Sequence, residues 1–399
     1  MNNKKGSSAV FLTVILATLM ALTLALIYGV KAQAVRSSMD AIISLAGDSV
    51  LSEYDRKLQE EYGLFLLKGD DEELTKKLHR YVSYSVDDME NVEIQSVKVS
   101  SSRYSVTGIS MIRDQIIEHM RILKAEGLLR DNERNPEGTI GTNRSLNHGP
   151  TIVSLPSANL PSKGLTAVAE SIADKLSEVD KAFEAGTEAY FINSYITEHF
   201  NSRGYMKSED HFFCNEVEYI LGGELSDRKN EKRVEMALKA MRFPINLAYL
   251  YSDAEKQAAL ASAAQLMTPG AAAAATQAAL ASTWAYAEAD NDVELLWEGH
   301  SVPMVKDDSS WAIDLDSAIE GVFGGVIVPQ EEKGYDYNEY LKILLFFQDE
   351  NIKLARILDL IQINMRANYD GGFLISEYSS GVTVEVKANG RTYRHEKKY

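Results

Sequence analysis

An uncharged apolar stretch near the N-terminus is the strongest pattern in the chain. No charged residue occurs from Ala9 to Val30, where Leu, Ala, Val and Ile predominate. As a helix the stretch is about 33 Å long, enough to cross the roughly 30 Å hydrocarbon core of a bilayer. We therefore predict a cytoplasmic N-terminal segment at residues 1–8 and a transmembrane helix at residues 9–30.

A secretory signal peptide is the alternative for this stretch. Lys4 and Lys5 resemble the basic start of a signal, and residues 32–34 spell an A-x-A cleavage site. The apolar run is longer than the about 7–15 residues usual in a signal, so we predict a retained signal-anchor. The α-amino group and two lysines before the run, against Lys31 and Arg36 after it, favour a cytoplasmic N-terminus with the bulk outside.

One face of the predicted span carries small residues at a strict four-residue spacing. Small residues let helices approach closely in lipid, where no hydrophobic drive brings helices together. Alanine is also common in membrane spans, so the stripe is either a packing surface for a partner helix or ordinary composition. Its members are Thr13, Ala17, Ala21, Ala25 and Gly29.

The helical pattern continues beyond the membrane. Apolar residues recur at three- and four-residue steps from Val35 to Tyr54 without a proline, which predicts one long helix, amphipathic outside the membrane, that ends at Gly63. A membrane-proximal α/β region at 31–130 then contains three further predicted elements: a helix from a cap at Asp70 or Asp71 to Tyr84, a strand at 92–99 and a helix at 109–123.

Residues 131–164 differ in composition from the rest and read as a linker. They hold four of the eight prolines, together with many Asn, Gly and Ser. A mostly helical domain at 165–399 follows, and its last part predicts a β-hairpin with a two-residue Asn389-Gly390 turn. Predicted helices are 165–183, 189–200, 229–251, 254–267, 340–348 and 351–366, and predicted short strands are 302–305, 311–315 and 326–328. Residues 212–221 are a buried strand or a packed turn, of which we favour the short strand.

A second uncharged stretch, residues 257–287, is not predicted to span the membrane. Alanine is close to neutral for membrane insertion, and Pro269-Gly270 divides the stretch into two pieces that are too short to cross. We predict a helical hairpin that turns at Thr268-Pro269-Gly270. Contact of this hairpin with the membrane surface stays open.

Charge and cysteine content narrow the class of protein. The formal net charge is −17, which argues against nucleic acid as a partner. Cys214 is the single cysteine, so an internal disulfide is excluded. The fold class expected is α+β and mostly helical: one N-terminal transmembrane helix continues into a long amphipathic helix, and an extracytoplasmic helical domain carries short strands and a C-terminal hairpin.

No motif predicts catalysis, a cofactor or a metal. Asp290, Asp292 and Glu294 have the spacing that starts a calcium loop, but the sixth and twelfth positions of that loop are Leu295 and Ser301 instead of Gly and Glu. We interpret this trio as a solvated or helix-capping turn. Cys214 follows His211 by three residues without other signs of a nucleophile, and reads as a small core residue. The acidic pair Glu216 and Glu218 is attributed to chance.

The chain opens with Lys-Lys-Gly-Ser-Ser-Ala-Val-Phe at residues 4–11, and an apolar helix that becomes amphipathic follows. This opening resembles the start of type IV pilins and of the minor pseudopilins of Tad (tight adherence) pilus assembly, which have a basic leader ending in Gly. In that family a prepilin peptidase cuts after the glycine, so the resemblance implies cleavage between Gly6 and Ser7. A Glu usually occupies the fifth mature position, where this chain has Phe11. Processing at Gly6, cleavage after Ala34 and retention of the whole N-terminus all stay open.

Five segments carry a resemblance that covers most of the chain: Ser52 to Asp55, Tyr62 to Phe65, Val217 to Gly223, Trp284 to Ala289 and Tyr340 to Leu345. They resemble an uncharacterised family of Gram-positive membrane proteins associated with Tad (Flp) pilus loci, which implies an association with pilus assembly. Because no catalytic motif is found, we expect a structural or assembly component of such a pilus or secretion apparatus that is not an enzyme. Its expected partners are the membrane and, through the transmembrane helix, other pilus-assembly or membrane proteins. The alternative is a membrane-anchored extracytoplasmic module that binds a wall polymer or protein.

Overall fold

A computed structural model describes residues 4–87, 92–127, 187–321 and 325–399, with Met89 and scattered positions between 152 and 172. Most of the predicted linker at 131–164 and of the predicted helix at 165–183 lies outside the described residues. The described chain is mostly helical with short antiparallel sheets, as predicted. It forms two compact units: Met1–Arg56, Phe65–Val106 and Ser376–Tyr399 make unit one, and Lys57–Leu64 and Thr107–Ile375 make unit two.

The helices and strands of the described residues are numbered in chain order. The α-helices are α1 Lys4–Leu51, α2 Arg56–Tyr62, α3 Asp71–Val86, α4 Ile109–Ala125, α5 Glu188–His199, α6 Glu216–Gly222, α7 Asp227–Ser252, α8 Ala254–Met267, α9 Ala273–Trp297, α10 Leu315–Glu320, α11 Tyr337–Phe347 and α12 Glu350–Asn368. The strands are β1 Leu67–Lys68, β2 Ile94–Ser100, β3 Tyr378–Ser379, β4 Gly381–Ala388 and β5 Arg391–Lys398.

Helix α1 joins the apolar stretch to the amphipathic one without interruption. This continuation was predicted and is confirmed, but the predicted end at Gly63 is wrong, because the helix stops at Leu51. Just beyond that point the Tyr81 hydroxyl donates to Glu53 at 2.5 Å, and the Tyr54 ring packs edge-on against Phe65 with centroids 5.0 Å apart. These contacts hold the chain in a turn, and Gly63, with φ +66°, follows the short helix α2 instead.

Unit one is a sheet with helices packed on it. The sheet has the order β2-β4-β5 and is antiparallel throughout, so the predicted C-terminal hairpin is confirmed. Asn389 and Gly390 both have positive φ, as a two-residue hairpin turn requires. The core combines residues of α1 and α3 with the inward side of β4: Met39, Ile43, Ala46, Val50, Leu74, Leu78, Val82, Val382, Val384 and Val386.

The C-terminal hairpin belongs to a different unit from the one in which the predicted domain ranges put it. We assigned the hairpin to the domain at 165–399, whereas the pairing of β4 with β2 places it in unit one. Long-range strand pairing of this kind has no local signal in the sequence. The boundaries of the predicted ranges otherwise stay predictions.

Unit two is helical, and α12 is buried on all sides over most of its length. The predicted hairpin at 257–287 is confirmed as α8 and α9, with Gly270 at φ +92° in the turn. In the described part of the chain, α1 alone is long and apolar enough to cross a membrane, and by those criteria it suits a single-pass anchor or a signal sequence.

Four strand predictions in unit two are wrong. The segment predicted as a strand at 212–221 contains α6, which closes where Gly223 adopts φ +74° and donates to the Tyr219 carbonyl at 2.7 Å. Segments 302–305, 311–315 and 326–328 form no strand; Val302 makes an isolated bridge with Tyr335. Helix α6 is buried along its whole length, and such burial makes a short apolar run look like a strand regardless of its backbone.

Candidate functional site

The apolar part of α1 is the first candidate site, because it is exposed throughout. Every residue from Val10 to Ala34 is solvent-accessible, whereas Met39 and Ile43 are buried in the core of unit one. The hydroxyls of three threonines in this segment are satisfied within the helix itself, as lipid requires. The hydroxyls of Thr13, Thr18 and Thr23 donate to carbonyls three residues earlier at 2.8, 2.8 and 2.9 Å.

The small-residue stripe lies on this exposed helix. All five members, Thr13, Ala17, Ala21, Ala25 and Gly29, are exposed, and a side chain at Gly29 would meet no atom within 4 Å. Gly6, Ser7 and Ala34 also lie within α1. Partner packing along the stripe and processing at Gly6 or Ala34 stay predictions.

A charge network inside unit two was missed from the sequence. Arg242 on α7 contacts Asp292 on α9, with Nε 2.9 Å from Oδ2, and neither side chain is exposed. Lys306 Nζ lies 2.5 Å from Asp292 Oδ1 and also pairs with Glu288. Two cations therefore meet two carboxylates out of water, and the network carries no net charge.

Neutral partners complete this network. The remaining donors of Arg242 contact the Met304 carbonyl at 2.6 Å and Asn246 Oδ1 at 3.0 Å. Glu288 accepts the backbone N–H of Ile313 at 2.8 Å. Burial alone would raise the pKa of Asp292, but Arg242 and Lys306 lower it below its usual value. Hydrogen-bonded and balanced charges of this kind are suited to fixing helices in place.

The acidic trio at 290–294 is not the solvated or helix-capping turn that we inferred. All three residues lie inside α9, where alternate positions face opposite sides of the helix. Asp292 is fully buried, Asp290 pairs with Lys239 near the surface, and Glu294 is exposed. A sequence signal was available: Glu288 and Asp292 continue the spacing of the buried residues Ala281 and Ala285.

A second buried network surrounds Glu216 on α6. Its carboxylate accepts the backbone N–H of Asn201 at 2.8 Å and the Asn364 amide at 2.6 Å, and lies 2.6 Å from His211 Nδ1. Burial lowers the pKa of His211, but the adjacent Glu216 more than offsets this and raises it. His211 is therefore paired with Glu216, and Cys214 is half-buried.

Glu218, two residues further on, is buried with one oxygen unsatisfied. Oε1 accepts the backbone N–H of Arg203 at 3.0 Å and the Tyr337 hydroxyl at 2.8 Å, whereas Oε2 has no hydrogen-bond partner. Burial raises the pKa of Glu218 to about 7. Glu216 and Glu218, whose pairing we attributed to chance, are both fully buried and hydrogen-bonded.

A row of polar residues on α12 is also buried. Lys353, Arg356, Asp359 and Gln362 recur every three residues, so they wind around the helix, and Lys353 and Gln362 lie on opposite sides of it. Lys353 Nζ donates to Asn193 Oδ1 at 2.8 Å and to the Leu345 carbonyl at 2.9 Å, and burial lowers its pKa to about 8. The row thus connects α12 to neighbouring helices.

These clusters do not resemble a metal or cofactor centre. Within the described ranges no group of three or more His, Cys, Asp or Glu is arranged to hold a metal ion. The buried charged groups are hydrogen-bonded to, or ion-paired with, other groups of the protein. Glu218 belongs to no ion pair within the described residues, and its Oε2 has no hydrogen-bond partner there. The expected lack of metal, cofactor and catalytic residues stays a prediction.

Comparison with known proteins places the chain in a family. The family model that matches residues 142–390 is described as a family of unknown function (DUF5702), and the match covers more than half of the chain. The chain belongs to this family. No curated protein and no solved structure matches it.

The DUF5702 range contains the buried networks of unit two and ends inside the C-terminal hairpin. It does not include α1, the segment that bears the membrane prediction. The description of DUF5702 names no function, and nothing in it connects the chain to Tad pili or to Gram-positive bacteria.

Proposed function

We propose that this DUF5702 protein is a structural or assembly component, similar to a minor pseudopilin, of a Tad-like pilus or secretion apparatus at the surface of a Gram-positive cell. In this role α1 crosses the cell membrane once, with the N-terminus in the cytoplasm and the bulk outside. The protein acts by holding partner proteins and has no enzymatic activity of its own.

The observation that carries the proposal is the division of α1 into two halves. Residues 10–30 are exposed and uncharged, whereas Met39, Ile43 and Val50 are part of the core of unit one. Because one uninterrupted helix contains both parts, a force or a contact on the membrane half is transmitted directly to the folded unit. A flexible tether would not couple them in this way.

Two further features support a role through partners. The resemblance of the N-terminus to pilins and pseudopilins implies membership of an assembly. The exposed small-residue stripe, which includes Ala21 and Ala25, gives a membrane face on which another helix would pack closely. The side chains of the buried networks, in contrast, bond to one another and are suited to stabilising the fold.

Site-specific photocrosslinking in the native host tests the proposal. A photoreactive residue replaces Ala21 on the stripe, and the matched control replaces Leu19, which projects from the opposite side of the helix. We expect adducts with pilus or secretion components from position 21, and markedly fewer from position 19. Equal lipid adducts from both positions, without a protein partner, would contradict the assembly role. Capture of a wall polymer or protein by the region outside the membrane would favour the anchored binding module.

A further inference from the structure

Strand β5 runs alongside α1 in the same direction, within unit one. Three contacts occur in matching order along the two elements. His395 Nε2 lies 3.2 Å from Asp40 Oδ1, Lys397 Nζ donates to Ser44 Oγ at 2.8 Å, and the Tyr399 hydroxyl donates to the Leu51 carbonyl. The start of β5 therefore points towards the apolar end of α1.

This register fixes the position along α1 at which the hairpin turn lies. Two strand residues advance about 6.6 Å, close to the roughly 6 Å of four helix residues. Arg391 precedes His395 by four residues, so it is level with a position about nine residues before Asp40, which is Lys31. Val35, packed against the same core as Ala388 and Tyr393, agrees with this placement. The turn thus lies where the apolar stretch ends at Val30.

Exposed cations gather at this height in a chain whose net charge is −17. We call five of them the basic collar: Lys31, Arg36, Lys387, Arg391 and Arg394. All five are exposed, and in the part of the chain that the structure describes none forms an ion pair. Nearby acids are fewer: Asp40 faces His395, Glu385 lies opposite Arg394, and Glu93 borders the turn.

We propose that the basic collar binds the phosphate groups of lipids at the membrane surface from which α1 emerges. The proposal rests on the membrane anchor proposed above. Arginine and lysine both bind phosphate, and basic residues next to a membrane span are attracted to anionic lipids. With α1 in the bilayer and the hairpin on its surface, unit one has two points of attachment and a restricted tilt.

Fluorescence quenching in vesicles tests the collar with the full-length chain. Thr392, exposed beside Arg391, becomes the single labelling site as Thr392→Cys in a Cys214→Ser background. The labelled protein is reconstituted in phosphatidylcholine vesicles with or without phosphatidylglycerol, and the lipids carry a headgroup quencher. We expect quenching to increase with phosphatidylglycerol and to decrease with added salt.

Matched substitutions distinguish the collar from general charge. The variant with Lys387→Gln, Arg391→Gln and Arg394→Gln should lose most of the phosphatidylglycerol-dependent quenching. The control with Lys68→Gln, Lys76→Gln and Arg103→Gln removes the same charge near the other end of the sheet and should keep that quenching. If both variants show equal quenching while all proteins float with the vesicles, lipid binding by the basic collar is contradicted and the membrane anchor is not. Failure of the wild-type chain to float would overturn the anchor and the collar together.

Discussion

Arg242 and Asp292 form an ion pair in which neither side chain is exposed to solvent, with Nε 2.9 Å from Oδ2. Asn246 donates to the same carboxylate oxygen at 3.0 Å, and Lys306 contacts the other oxygen. Removal of a single member would leave an uncompensated charge in the interior, which costs far more than loss of a surface pair. The network therefore makes the packing of α7 against α9 sensitive to single substitutions.

Asp292→Asn should lower the free energy of unfolding of unit two by about 3–5 kcal/mol, because Arg242 and Lys306 lose a buried counter-charge. Urea unfolding followed by tryptophan fluorescence measures this, since all three tryptophans lie in unit two. Asp290→Asn on the same helix is the control and should cost less than about 1 kcal/mol, because Asp290 is partly exposed. Equal losses in the two variants would contradict the assigned role of the network.

Elements with local signals were predictable from the sequence. The Asn389-Gly390 turn, the Pro269-Gly270 turn and the N-cap Asp70, which accepts the Glu73 N–H at 2.8 Å, each act through their nearest neighbours. Such signals depend on backbone preferences that short segments carry by themselves. The hairpin, the α8–α9 turn and α3 were accordingly placed correctly.

The buried networks depend on distant partners and were not predictable in the same way. Arg242 and Asp292 are 50 residues apart, and Glu216 and Asn364 are 148 apart. A charged residue on an apolar stripe indicates only that a partner is needed, and the partner becomes known when the helices are packed. Lys353 of α12 and its partner Asn193 are likewise 160 residues apart.

Glu218 should make unit two less stable as pH rises. Its folded-state pKa of about 7 lies above the ordinary value of 4.5. The protonated Glu218 therefore makes its full contribution to the free energy of unfolding when the pH is below the pKa that it has in the unfolded chain. This contribution is lost as the pH rises through the pKa that it has in the folded chain. Between about pH 5 and about pH 8 the wild type should lose on the order of 3 kcal/mol relative to Glu218→Gln.

Tryptophan-detected urea unfolding across this pH range checks the prediction for Glu218. Glu255→Gln removes an exposed carboxyl in the same unit and should follow the wild type at every pH. A constant difference between Glu218→Gln and the wild type would show that Glu218 is already ionised in the native state at pH 5, as it is in the unfolded chain, and would contradict the raised pKa.

The mature N-terminus should retain the apolar segment of α1. Intact-mass spectrometry of protein from native membranes identifies the first residue. Ser7 indicates a prepilin peptidase, Met1 or Asn2 indicates no processing, and both keep the anchor. A start at Val35 would show that signal peptidase acts after Ala34, and it would remove the whole exposed stripe.

The segment 131–164 should lie outside the cytoplasm, since Lys4 and Lys5 favour a cytoplasmic N-terminus. Protease added to intact protoplasts should cleave within this proline-rich segment. A cytoplasmic protein that stays uncut serves as the control for sealed membranes. Protection of 131–164 in sealed protoplasts, with cleavage after lysis, would reverse the proposed orientation.

Replacement of Ala21 and Ala25 by Leu should impair assembly while membrane insertion continues. The double variant keeps the span apolar and of the same length, so its abundance in the membrane should match the wild type. Added bulk on the stripe keeps a partner helix at a distance and removes much of its van der Waals contact. Thr23→Leu adds bulk on the opposite side and is the control. Co-purification of partners, normalised to membrane abundance, should decrease several-fold in the double variant alone. Unchanged complexes would show that the stripe reflects alanine-rich composition, and they would favour a self-sufficient anchored module.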